Sequence, residues 1–326
     1  MLRMAFALVL LAASAARAEP QGDPAGTQRT TGGRFTFVAM PSDAALAKNL
    51  LAVAIAADSF PGLPRPRRPA TIMIAPNAAA FREWIGGGVP EWGIAVAIPE
   101  EHRIVMQGRS ADSRAGDPRV SLRHELAHLA LHEYLTNLPP RWFDEGYASY
   151  SAGEWGRDEV LSSSVVLALR GVPHFGGLDT LIAGGTARAE QGYALAHRAV
   201  ADVAAIDPRG GLTLLFRYWH DTRKLDAAFR QAYGITLDGF ENTWRQATRR
   251  RYGALAMLGD VGFASLVLFL IVGPFWLVRR RRDRTRLDAM RAADKLADRR
   301  ERESALAALL GKGGDMDESE DQIKGR

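Results

Sequence analysis

His124-Glu125-Leu126-Ala127-His128, then sixteen intervening residues, then Glu145 inside Pro140-Arg141-Trp142-Phe143-Asp144-Glu145-Gly146-Tyr147-Ala148, is the stretch whose reading decides the fold. Asp117 can cap a helix and Pro118 suits its first position, so the histidines are predicted on a helix that begins there. Four residues apart, His124 and His128 share one face and can reach a single metal ion. Glu125 projects beside them, where a carboxylate can take a proton from activated water. Asn137 and the Pro139-Pro140 pair interrupt the pattern, and a second helix is predicted from near Pro140. The loop is long enough for an antiparallel return that brings Glu145 over the histidine pair. Two histidines, a glutamate and an open position are a known ligand set for catalytic zinc. His132 is no third ligand, because a straight helix places it about 12 Å along the axis from His124.

Outward from this segment the periodicity changes. Upstream, Arg34–Val38 and Ala70–Ile74 read as strands, with a helix over 44–60 between them. Asn77–Ile85 reads as a short helix before the Gly86-Gly87-Gly88 turn, and Gly93–Ile98 and Arg103–Gln107 read as two more strands. Downstream the pattern is helical: Glu159–Leu169, Arg188–Ala205, Gly211–Trp219, Leu225–Tyr233 and Leu237–Arg249. Leu237, Phe240 and Trp244 follow the spacing of a buried stripe, and Trp142 and Phe143 read as core.

The 326 residues are 47% hydrophobic and 24% charged, which excludes a disordered chain and a repetitive fibre. The absence of cysteine excludes thiol chemistry, cysteine-ligated zinc and disulfides. Residues 1–18 have the basic start, apolar run and small-x-small end of a signal peptide, and 19–33 read as a flexible leader. Residues 254–278 are apolar apart from Asp260, which predicts a transmembrane helix between arginine clusters at 249–251 and 279–282. These signals together predict a single-pass protein of a bacterial inner membrane. Residues 34–253 would be periplasmic or extracellular, and the charged tail 279–326 cytoplasmic. That tail carries 14 basic and 11 acidic residues, which accounts for 3 of the net +5 and gives no footprint for nucleic acid.

The two-part motif resembles the gluzincin metallopeptidases, and more narrowly the peptidase MA-like proteins of bacterial envelopes. Tyr233 to Trp244 is similar to the helical end of those domains. The resemblance implies an α+β, zincin-like domain over 34–253: a small mixed sheet, the histidine helix and a C-terminal helical subdomain. It implies Zn2+ held by His124, His128 and Glu145, with Glu125 as general base, and an endopeptidase acting on envelope polypeptides. The alternative is a catalytically silent zinc domain that binds such polypeptides for assembly or quality control. Gluzincins stabilise the oxyanion with a Tyr or His from the helical part, which points to Tyr193 and His197. Arg103–Gln107 resembles the edge strand that pairs with an extended substrate. One departure stands out. Where thermolysin-like sites place a carboxylate four residues after the ligand glutamate, this chain has Ser149, leaving Asp144 or a backbone carbonyl to hold a ligand histidine.

Overall fold

A computed structural model describes residues 23–86, 94–108, 116–154, 161, 171–184, 186–252 and 254–317. Five strands form one mixed sheet: β1 (Gln28–Gly32), β2 (Phe35–Ala39), β3 (Ala70–Ala75), β4 (Ala95–Ile98) and β5 (Arg103–Gln107), in the order β1-β2-β3-β5-β4. β2, β3 and β5 run parallel, while β1 and β4 are antiparallel edges. Both faces of the inner strands are apolar. Phe37, Ile72, Ile74, Ile104 and Met106 point into the main core, whereas Val38, Met73, Val96 and Val105 point into a smaller one on the other face. A period of two sends alternate side chains to opposite faces, and parallel strands covered on both sides read as continuous apolar runs.

Among the described residues, ten α-helices accompany the sheet: α1 (Ala44–Ala56), α2 (Ala78–Trp84), α3 (Pro118–Leu135), α4 (Arg141–Ala152), α5 (Phe175–Ile182), α6 (Thr186–Ala204), α7 (Thr213–Thr222), α8 (Leu225–Tyr233), α9 (Leu237–Tyr252) and α10 (Ala254–Asp317). Helix α2, capped by Asn77 through the Ala80 N–H, covers the smaller core with Phe81. Helices α1 and α3 pack on the other face of the sheet, and α4 packs against both α3 and α6. Trp142 stacks on Phe175, and Phe143 lies edge-on to Phe216 and Trp219, so the start of α4 is anchored in the helical half. Phe240 and Trp244 of α9 are buried beside Phe175.

Several sequence expectations change. Gln28–Gly32 of the expected leader is a strand, paired along its length with β2. β5 is not an edge: β3 and β4 occupy its two sides, and the free edge belongs to β4. The signal peptide of residues 1–18 and most of the helix expected at Glu159–Leu169 lie outside the described residues.

The transmembrane helix expected over 254–278 is not upheld. Helix α10 runs for 64 residues straight through the arginines at 279–282, so 278 is no element boundary. Among the described residues, no helix is long and apolar enough to cross a membrane. The single-pass inner-membrane placement falls with that helix, as do its outer domain and cytoplasmic tail. The chain divides into two compact units, Met1–Met257 and Leu258–Arg326. Among the described residues, the main core belongs to the first.

Candidate metal centre

Helix α3 begins as the sequence indicates, with the Asp117 side chain accepting from the Arg119 N–H and Pro118 at the first position. Helix α4 starts after Pro140, and its Trp142 N–H donates to Asp179 at 2.7 Å. The close approach of α4 to α6 depends on Gly146. A Cβ there would lie 2.4 Å from the Ala196 carbonyl oxygen. Any other residue would push apart the two helices that fix the position of Glu145.

His124, His128 and Glu145 converge in the interior. Glu145 Oε2 stands 3.6 Å from Nε2 of each histidine, and one ligand atom from each residue fits within a mutual distance of 4.8 Å. All three residues are fully buried. Among the described residues, both Nε2 atoms and both Glu145 oxygens have no hydrogen-bond partner. Unpaired polar atoms are costly in the interior, and a shared cation would satisfy all of them. This buried group could hold a metal ion.

The opposite ring nitrogens are occupied. His128 Nδ1 donates to Asp144 Oδ1 at 2.6 Å, and His132 Nε2 donates to Asp144 Oδ2 at 2.7 Å. His132 therefore supports Asp144 from the next helical turn instead of joining the ligand atoms. His124 Nδ1 donates to Glu154 Oε1 at 2.8 Å, and the Ser149 hydroxyl donates to Glu154 Oε2 at 2.7 Å. With Nδ1 of each ring directed at a carboxylate, Nε2 is the nitrogen left to face Glu145, and it is the one a metal would take in place of a proton.

Burial raises the carboxyl pKa of Glu125, and the nearby Glu145 raises it further, against the opposing pull of both imidazoles and the Ala97 N–H. Burial also works against an ionised Asp144, but His128 and His132 outweigh it and hold that carboxyl well below its usual range. Glu145 is lowered in the same way, with His124 and His128 overcoming burial. Burial disfavours a charged His128, yet Asp144 and Glu145 hold its pKa well above the ordinary value.

Glu125 is fully buried, and its Oε2 accepts from the Ala97 N–H of β4 at 2.8 Å, whereas Oε1 has no partner. The Gln107 N–H donates to the Ile94 carbonyl, so antiparallel alternation turns the N–H groups of Ala95 and Ala97 away from β5. The free edge of β4 thus meets the histidine helix at Glu125.

The structure brings together four of the six residues singled out in the sequence: His124, Glu125, His128 and Glu145. Tyr193 is fully buried on α6 within the main core. His197, one turn further and half-buried, donates from Nδ1 to Ser149 Oγ at 3.1 Å. Three hydrogen bonds, through Ser149 and Glu154, therefore link it to His124. Glu154 itself was not anticipated, because it follows α4 and shares no helical spacing with the residues it serves. No model of a known protein family matches the chain, and no curated protein matches it either.

Proposed function

We propose that this protein is a zinc-dependent peptide hydrolase of gluzincin type that acts on polypeptides. The observation carrying this reading is the set of four Nε2 and carboxylate atoms of His124, His128 and Glu145 that have no partner among the described residues, buried beside a Glu125 Oε1 in the same condition. A zinc ion held there would act as a Lewis acid, polarising a peptide carbonyl and making water a better nucleophile. The two imidazoles and Glu145 bind and orient it, and Asp144 and Glu154 keep the imidazoles in the ligating tautomer. Glu125 Oε2 is tied to the Ala97 N–H, so Oε1 is left to take a proton from the attacking water and return it to the leaving amine.

Complete burial of all four side chains favours a second reading, a domain that holds the metal and binds polypeptides without cleaving them. One comparison separates the two. Glu125→Gln should keep zinc bound and abolish hydrolysis of an unfolded protein substrate. Glu145→Gln should lose zinc and recover part of its rate when zinc is added. Near-normal turnover by Glu125→Gln would remove Glu125 as the base, and a wild-type protein that binds zinc but cleaves nothing would leave the second reading.

A further inference from the structure

The ligand histidines are braced by carboxylates of different origin. Asp144 lies on α4, next to Glu145 in the chain. Glu154 lies just past Gly153, whose left-handed φ of 65° ends that helix and turns the chain back. Four residues after Glu145, where a bracing carboxylate is expected on the helix itself, stands Ser149. It is fully buried, and its hydroxyl proton is committed to Glu154 Oε2. Having spent its only proton there, Ser149 Oγ can only accept from His197 Nδ1. Every proton in the chain His197, Ser149, Glu154, His124 then has one assignment, running inward and ending with the His124 Nε2 lone pair facing Glu145. Glu154 is not itself a ligand, because its Oε1 sits on the ring nitrogen opposite the one that faces Glu145.

We propose that Glu154, clamped by Ser149, is the positioning residue for His124, so that the role of one bracing carboxylate is divided between a helical hydroxyl and a carboxylate supplied from beyond the helix. This rests on the metal-binding reading of His124, His128 and Glu145. Outer partners of this kind typically change metal affinity by about 10–100-fold when removed.

The test uses the full chain, Zn2+ alone and a chromophoric chelator as competitor, with folding followed by circular dichroism. Glu154→Ala should weaken Zn2+ affinity by roughly 10-fold or more. Glu154→Gln should fall between it and the wild type, since an amide oxygen can accept from His124 without the charge. Ser149→Ala should weaken binding less, and should cost nothing further in the Glu154→Ala background. With Co2+ in place of Zn2+, the visible absorption should shift in the Glu154 variants. Wild-type affinity in Glu154→Ala, or an equal Ser149→Ala effect in both backgrounds, overturns the proposal. Should Glu154→Ala fail to fold, Glu154→Gln decides alone: weakened binding supports the role and unchanged binding overturns it. A wild-type chain that takes up no Zn2+ removes the metal reading and this role together, whereas normal wild-type uptake with unmoved variants removes only this role.

Discussion

At the scale of single residues, the sharpest prediction outside the metal centre concerns His102. It is 5% exposed and occupies the turn between β4 and β5 with a left-handed φ of 51°. Its Nδ1 has no partner and its Nε2 lies 3.6 Å from Glu133 Oε2. Burial first, and then the charges of Arg68 and Arg34, depress its pKa below the ordinary 6.5 against the opposing pull of Glu133. The unfolded chain therefore takes up this proton at higher pH than the folded one. The stability at stake is fully present above about pH 6.5 and is lost as pH falls below it. Asparagine tolerates the left-handed region and does not titrate, so His102→Asn should show a flatter melting temperature between pH 7 and pH 5 than the wild type. Parallel curves for the two proteins would count against it. The buried pairing of His124 with His128, by contrast, was legible from spacing, since four residues on a helix place two side chains on one face. Glu154 was not, because no local periodicity links a residue beyond a helix terminus to a histidine thirty positions earlier.

Elements carry their own tests. Gly146→Ala would put a methyl against backbone atoms of Ala196, which cannot swing aside as a side chain could. A cost of about 1–3 kcal/mol, the usual range for overpacking, should appear as a lower denaturant midpoint with unchanged slope. Asp179, reaching from α5 to the first turn of α4, supplies an acceptor that Pro140 cannot, and Asp179→Ala should cost about 1 kcal/mol in the same measurement. The start of α3 follows from Asp117 and Pro118, and the bounds of α8 from its periodicity, so these were readable in advance. β1 was not: an edge strand with mostly exposed side chains has no apolar alternation to betray it. Nor could periodicity say which strand of the β4–β5 hairpin would insert beside β3, because both have the same pattern and only the parallel crossover from β3 to β5 decides it.

For the whole molecule, the division after Met257 predicts that a chain ending there keeps the denaturant midpoint of the full-length protein, since every main-core residue among the described ones lies in the first unit. A midpoint lowered by the equivalent of more than about 1 kcal/mol would show that α10 contributes to that core. The division was half legible. The change of composition near 253 marked a boundary, but composition could not show that α10 continues unbroken into the charged tail. The metal centre has a different economy. The three candidate ligands, Glu125 and the two carboxylates on the imidazoles, Asp144 and Glu154, all come from 124–154, one helical hairpin closed by a five-residue connection. Short loops close fast, and contacts between near neighbours form ahead of those that must join distant parts of a chain. The hairpin can therefore assemble its ligands while α6, more than thirty residues downstream, is still unfolded, and capture of an ion at that moment would make metal supply a determinant of how fast the rest of the protein folds.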